Sequence, residues 1–377
     1  FFYIFATGHL FVWTLAPSLT NINLPLDTIE ALAWGSNLDW GFNKHPPASA
    51  FFVEFFYQIF GAQDWAFYLL SQLFIVIAFF VVWKLSQDFL KNKFYSLISV
   101  LLLEGVYFYN YTTPEFNVYV CEIPFWALTV FFCYRFINKS NIKNSFLFGF
   151  FAAIGFLSHY LFGYLLLSIF IFFIFNFIKQ KKFNVNYLFV LGIFIIMILP
   201  HFVWLVDNDY STISYAIHRT GLENASFLNH LIYPFTFLLK QIGILIPFWI
   251  MIFFIIKKYK IKINLKDKKL LFLFFVNILP IILVATTSLI TGAKIKTMWM
   301  TPFYLFIGLF VVYIFQSQIN LKKINNFFSI LLFLFIFSPF VYSFVSIANN
   351  DKRTDYPGKK IANKIQLKWN EDHEESI

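Results

Sequence analysis

The sequence predicts an all-α polytopic membrane protein, and three observations carry that class. Hydrophobic residues fill 59% of the 377 positions and charged residues only 13%, against about half and about a quarter in soluble domains. Mean hydropathy is +0.69. The apolar residues gather in nearly uncharged runs of roughly 17–25. A helix rising about 1.5 Å per residue needs that length to cross a hydrocarbon core of about 30 Å. These values exclude an ordinary water-soluble enzyme. The 57 Phe are spread over every run and read as lipid-facing and core bulk, so no function is drawn from them.

Taken in order, the runs lie at 1–17, 64–83, 94–110, 119–137, 145–158, 160–178, 187–206, 229–256, 270–290, 299–315 and 326–347, about 11 transmembrane helices, the fifth being short. Residues 1–347 read as one transmembrane module, with 18–63 as its first and longest outer loop. The stretch 348–377 turns polar, with Asp351, Lys352, Arg353, Asp355 and an acidic end from Glu371 to Glu375. It reads as the start of a soluble extracytoplasmic region cut short. Phe1 lies inside an apolar run, so a short N-terminal piece is expected before it, and no cleavable signal peptide is read. Cys121 and Cys133 sit about 18 Å apart along one helix, too far to pair and without zinc-finger spacing. No internal repeat is visible, which disfavours an inverted-repeat transporter.

Strict alternation of the spans sorts the charges. One set of connections collects Lys84, Lys91, Lys93, Arg135, Lys139, Lys143, Lys179, Lys181, Lys182, Lys257, Lys258, Lys260, Lys262, Lys266, Lys268, Lys269, Lys322 and Lys323, against only Asp88 and Asp267. By the positive-inside bias this set faces the cytoplasm. The net charge of +10 is therefore topological, and no nucleic-acid partner is expected. The other set holds Asp27, Glu30, Asp39, Glu54, Asp64, Glu115, Asp207, Asp209 and Glu223, with Lys44, Arg219, Lys240, Lys294 and Lys296 as its cations before residue 348. Chemistry is expected on this non-cytoplasmic face, where the long connections 18–63 and 207–228 also lie.

In the first loop, Leu24-Pro-Leu-Asp27-Thr-Ile-Glu30 places two carboxylates at i and i+3, on one face if the segment is helical. Trp40-Gly-Phe-Asn-Lys44-His45-Pro46-Pro47 then turns at its prolines and presents a cation and an imidazole. A carboxylate can take a proton from an attacking hydroxyl, while Lys and His can neutralise a phosphate leaving group. Spacing alone leaves open that these charges only solvate amphipathic interfacial helices.

The run "LPLDTIEALAWG…GFNKHPPASAFF…IFG" resembles the first periplasmic loop of bacterial glycosyltransferase family 39, the dolichyl-phosphate-mannose protein mannosyltransferase type related to the lipid A aminoarabinose transferase. "TTPEFNVY" (112–119), "GFLSHYLFG" (155–163), "PHFVWLVDNDYSTISYAIHRTG" (200–221) and "KIKTMWMTPFY" (294–304) are similar to later family stretches in type and order. The resemblance implies a GT-C-type helical bundle with amphipathic helices in its first extracytoplasmic loop. It also implies a polyprenyl-phosphate sugar donor of the undecaprenyl type and inversion at the anomeric carbon. Two departures stand out: the mannosyltransferases carry an adjacent Asp-Glu pair where this chain has Asp27-Thr28 and Glu30, and the C-terminal soluble region is short.

On this reading Asp27 is the general base and Glu30 its companion carboxylate. Lys44, His45, Arg219, Lys294 and Lys296 are the donor-phosphate contacts; Lys294 and Lys296 are notable because two cations so placed on the acidic side point to an anion site. Glu115 and His159 are acceptor or metal candidates, and Asp27 with Glu115 leaves room for a divalent cation. Asp207 and Asp209 form an Asp-x-Asp that reads as solvated. Trp40, Trp65, Trp204 and Trp299 read as interface anchors. The expected partners are a polyprenyl-phosphate-linked sugar, membrane lipids and an envelope glycolipid, glycan or protein acceptor. The expected location is the bacterial inner membrane, multi-pass, with the site facing the periplasm or exterior. The alternative is a transporter or flippase of lipid-linked sugars, which would place ionisable residues mid-span.

Overall fold

A computed structural model describes residues 1–181, 184–222, 226–257, 264, 266–348 and 352–373, without the side chains of 180, 372 and 373. Lys182, Glu223, Lys258, Lys260, Lys262, Asp351, Glu374 and Glu375 lie outside the described residues. The described residues form helices α1 (Phe2–Thr20), α2 (Leu26–Gly35), α3 (Ala48–Phe60), α4 (Asp64–Phe89), α5 (Lys93–Leu101), α6 (Val118–Asn138), α7 (Ile142–Ser158), α8 (Phe162–Gln180), α9 (Asn186–Asp207), α10 (Ser211–Thr220), α11 (Asn229–Ile244), α12 (Ile246–Ile255), α13 (Lys268–Thr291), α14 (Ile307–Phe315), α15 (Ile324–Ala348) and α16 (Gly358–His373). Short 3₁₀ turns join several of them, and among the described residues no sheet forms.

The apolar runs became helices for the expected reason, since lipid leaves no water to satisfy a free backbone. Among the described residues, seven helices are long and apolar enough to span: α1, α4, α6, α8, α9, α13 and α15. Two bent pairs bring the number to nine. α11 and α12 meet at 49° and the 3₁₀ segment Thr297–Tyr304 meets the α14 segment at 51°. Proline interrupts both, through Pro247 at the start of α12 and Pro302 in the 3₁₀ segment. The two remaining runs depart from straight spans. The run 94–110 is α5 followed by 3₁₀ turns at Leu102–Gly105 and Tyr107–Tyr109. The run 145–158 is the 17-residue α7, about 25 Å long.

Helix starts follow local chemistry. Asn92, Asn117, Asn141 and Asp267 each accept a backbone N–H of the helix they precede. The core is built on α4 and α6, two-thirds of whose apolar windows are buried, whereas α9 and α15 bury only 11% of theirs and stand at the periphery. Trp13, Trp126, Phe79 and Phe136 are among the largest fully buried side chains. One end of the bundle gathers basic connections, where Arg135 pairs with Asp88 at 2.7 Å. There Lys269 donates to the Asp88 carbonyl at 2.5 Å and Tyr313 donates to Asp267 at 2.8 Å. The first loop and its acidic residues lie at the opposite end, as the alternation of charges requires.

Two closely packed crossings depend on glycine. A Cβ at Gly35 would come within 2.9 Å of the Ala50 carbonyl and of Glu54 Cβ, which is how α2 and α3 lie against each other. A Cβ at Gly308 would overlap the Ser99 carbonyl where α14 crosses α5. Gly308→Ala is therefore expected to destabilise the detergent-solubilised protein by about 1–3 kcal/mol, the usual cost of overpacking, measured as a lowered thermal midpoint; an unchanged midpoint would contradict this packing.

Candidate active site

The first loop is two helices clamped onto the bundle. Pro25 ends the incoming strand of chain and α2 begins at Leu26, putting Asp27 in its first turn, where the helix dipole favours a negative charge. The 110–117 turn closes on that helix end. The backbone N–H of Asp27 donates to Glu115 Oε1 at 3.2 Å, and Thr28 Oγ1 donates to the Phe116 carbonyl at 3.1 Å. Glu30, one turn along, pairs with Lys44 Nζ. Glu30 is thus already engaged, and its carboxylate raises the Lys44 pKa.

Asp27 is half-buried, and its pKa is raised first by desolvation and then by Glu30, against the lowering effect of Lys44, Arg353 and Arg219. Glu115 is pushed up to about 7, again by burial first and then by Asp27. Two like charges this close disfavour double ionisation, and the pair titrates as a unit. The cations nearer Asp27 favour the anion there, which leaves the proton on Glu115.

His45 packs its ring near Trp34, His159 and Tyr215, with centroids 6.0, 5.9 and 6.1 Å away. Burial, and then Lys44, lower its pKa to about 4. It reaches the site as a neutral hydrogen-bonding ring, not as a positive charge. His159 is also held neutral by burial, with Nδ1 3.4 Å from Glu122 Oε2. Beneath them Tyr119 and Trp299 form a small apolar wall with Leu161 and Ile295. Trp299 is buried, so it is part of the site floor and not an interface anchor.

The remaining cations arrive from two later elements. Arg219 ends α10, and the Lys294 N–H donates to the Thr220 carbonyl at 3.0 Å, which ties the 292–296 connection to that helix end. Lys294 Nζ stands 6.0 Å over the Tyr233 ring. Lys296 has its pKa lowered by desolvation, then by Arg219 and Lys294, and raised by Asp27. Arg219, Lys294 and Lys296 therefore crowd one another beside a single carboxylate, an arrangement that a bound anion would relieve.

The loop is held in place by groups that sequence reasoning did not identify. Trp204 Nε1 donates to Asp39 Oδ2 at 2.8 Å. His201 Nδ1 meets the Trp40 carbonyl at 2.7 Å, so in the neutral ring Nε2 is the acceptor and Tyr160 OH donates to it at 2.7 Å. Gly41 lies flat against the Trp204 ring, where a Cβ would overlap it. Trp204 is thus a clamp more than a lipid anchor. Asp207 and Asp209 are exposed at the end of α9. Two further features were missed: Arg353, which acts on both Asp27 and Glu115, and the pairing of fully buried His9 with Glu104, with Nδ1 3.2 Å from Oε2. Arg353 had one signal in the sequence, its place among the first cations after the last outward span.

Among the described residues, no group of three or more His, Cys, Asp or Glu is placed so that it could hold a metal ion. Asp27 and Glu115 alone, with Lys44, Arg219 and Arg353 acting on Asp27, do not fit a divalent cation. The Glu115 shift also sets a stability test. Its folded pKa is about 7 against an ordinary 4.5, so the contribution it makes to stability is full below about 4.5 and is lost as pH rises through about 7. Glu115→Gln, which can still accept from Asp27 N–H, should raise the thermal midpoint relative to wild type at pH 8 by about 2 °C or more and leave it nearly unchanged at pH 4.5. An equal effect at both pH values would contradict the assignment.

Residues 44–204 match the family described as dolichyl-phosphate-mannose-protein mannosyltransferase. That segment contains Lys44, His45, Glu115 and His159; Asp27, Glu30, Arg219, Lys294 and Lys296 lie outside it. No curated protein matches the chain. A solved structure, ArnT from Cupriavidus metallidurans bound to undecaprenyl phosphate, superposes with a TM-score of 0.60 at 13% sequence identity, covering 86% of this chain and 61% of that one. This chain spans about three-fifths of that protein's length, and the likeness is one of fold. The resemblance carried by the first loop and the match over 44–204 agree, and the chain is a multi-span helical membrane protein similar over that segment to the dolichyl-phosphate-mannose-protein mannosyltransferase family and similar in fold to ArnT.

Proposed function

We propose that the protein is an integral-membrane glycosyltransferase that moves a sugar from a polyprenyl-phosphate carrier to a hydroxyl group of a lipid, glycan or protein acceptor. The observation that carries the proposal is the crowding of Arg219, Lys294 and Lys296, of which Arg219 and Lys296 interact with Asp27. A lipid monophosphate leaving group supplies the charge those three cations lack, and its polyprenyl chain belongs in the bilayer beside the helices. The family match and the fold shared with a protein bound to undecaprenyl phosphate support the same donor class. The acidic end of the bundle, opposite the lysine-rich connections, is assigned by the positive-inside bias to the periplasm or exterior, with the protein in the bacterial inner membrane.

The step balances with residues of this chain. The acceptor oxygen attacks the anomeric carbon from the face opposite the phosphate and forms the new C–O bond. The bond from that carbon to the phosphate oxygen breaks, and its electron pair leaves with the lipid phosphate. Arg219, Lys294 and Lys296 neutralise the growing charge. The acceptor's proton passes to the Asp27 carboxylate. Glu30 acts by holding Lys44 against the site, and His45 offers the donor a neutral ring. Protonated Glu115 keeps Asp27 from facing a second negative charge. The buried His9–Glu104 pair and the buried Glu122 on α6, ionisable groups inside the bundle, favour a lipid-linked-sugar flippase instead.

Reconstitution into vesicles separates the two readings. Consumption of lipid-linked sugar with release of polyprenyl phosphate supports transfer; transbilayer movement of intact donor without consumption would overturn it. Asp27→Asn should lower turnover by about 10²–10⁴-fold with an unchanged thermal midpoint, whereas activity above half of wild type would refute its role as base. Lys296→Gln should raise the KM for the donor, and kcat/KM should fall as pH rises through about 7, where Glu115 gives up its proton.

A further inference from the structure

A second group of cations lies on the C-terminal side of Asp27 and is separate from the first. After α15 the chain folds back across the first loop. The Asn23 N–H donates to the Thr354 carbonyl at 3.0 Å, and Lys352 Nζ holds the end of α15 through the Ser346 carbonyl and, at 3.2 Å, Ser346 Oγ, with Asp355 Oδ1 3.8 Å away. Between this segment, the 107–115 turn and the start of α2 lies a cavity of about 560 Å³. Its walls include Lys352, Arg353, Glu115 and the rings of Tyr107, Tyr111 and Tyr342. None of Lys44, Arg219, Lys294 and Lys296 lines it.

The chemistry of the walls is specific. The Arg353 guanidinium is exposed and donates no hydrogen bond to an acceptor among the described residues, yet it acts on both Asp27 and Glu115. Tyrosine rings offer flat faces and hydroxyls suited to a sugar ring, and an unpaired guanidinium beside an ammonium suits a phosphate or carboxylate. Glu115, at the cavity wall, accepts the Asp27 N–H, so a ligand seated there abuts the proposed base.

We propose that this cavity is the acceptor entrance of the transferase and that it takes an anionic sugar headgroup, whose anion rests on Lys352 and Arg353 and whose hydroxyl points toward Asp27. The inference rests on the transferase reading. It favours a phosphorylated or acidic glycan or glycolipid over a protein side chain. It gives the first residues after the last span a substrate-binding task, where the sequence reading had only the start of a soluble region.

The test uses the whole protein in phosphatidylcholine nanodiscs, titrated with glucose 6-phosphate and with glucose. Glucose 6-phosphate should bind at least 10-fold more tightly. That preference should vanish in Arg353→Gln and in the Lys352→Gln/Arg353→Gln double variant. It should persist in Arg353→Lys, which controls for folding, and in Lys294→Gln/Lys296→Gln. A preference that survives the double variant, that is lost only with Lys294 and Lys296, or that is absent from wild type overturns the proposal. Adding phosphatidylinositol to the nanodiscs identifies the source: competition supports a lipid-borne headgroup, and undiminished binding supports a soluble glycan. Because the readout is binding, its failure leaves donor turnover untouched, and failure of donor turnover leaves this preference in place.

Discussion

Asp27 and Glu115 stand close enough that the backbone N–H of one donates to the carboxylate of the other, and both are partly withdrawn from water. Such a pair cannot carry two full charges without help. The surrounding architecture supplies that help unevenly: Lys44, Arg219 and Arg353 act on Asp27, while among these only Arg353 also acts on Glu115. The result is one carboxylate ready to accept a proton and one neutral neighbour, both at the end of a bundle whose helices provide almost no other free charge.

Keeping that arrangement on a loop requires a rigid seat. The seat is made by α9 and by the turns between helices: Trp204 on Asp39, His201 on the Trp40 carbonyl, and the Trp204 ring against Gly41. The 110–117 turn closes on the start of α2 from the other side. The site is thus a set of connections positioned by a spanning scaffold, a common division of labour in which the framework is apolar and the chemistry lies on its loops. Lipid substrates also fit this placement, since their phosphate lies where the helices end.

Much of this was legible in the sequence because membrane burial makes strong demands on composition. The spans followed from run length, and the two ends of the bundle followed from where lysines are tolerated. Asp27 and Glu30 at i and i+3 fell on one helix. The i, i+3 spacing could not say that Glu30 is tied to Lys44, since that pairing depends on how residue 44 folds back across the first loop. His45 could not be read as neutral, because its desolvation comes from Trp34, His159 and Tyr215, three distant positions. The 94–110 run looked like a plain span, yet its second half turns as 3₁₀ helix around Glu104, which meets His9 from α1. Arg353 belongs to the site only because the chain reverses after α15, and composition carries no record of that reversal.

The central claim is that a lipid phosphate docks beside Asp27 at the acidic end of the bundle. Photo-crosslinking tests it directly, using a short-chain polyprenyl phosphate with a diazirine next to the phosphate, reacted with the protein in vesicles and mapped by peptide mass spectrometry. Adducts within 40–47, 212–221 and 292–299 are predicted. Adducts confined to the opposite end, around Lys84, Arg135 and Lys269, would contradict the account.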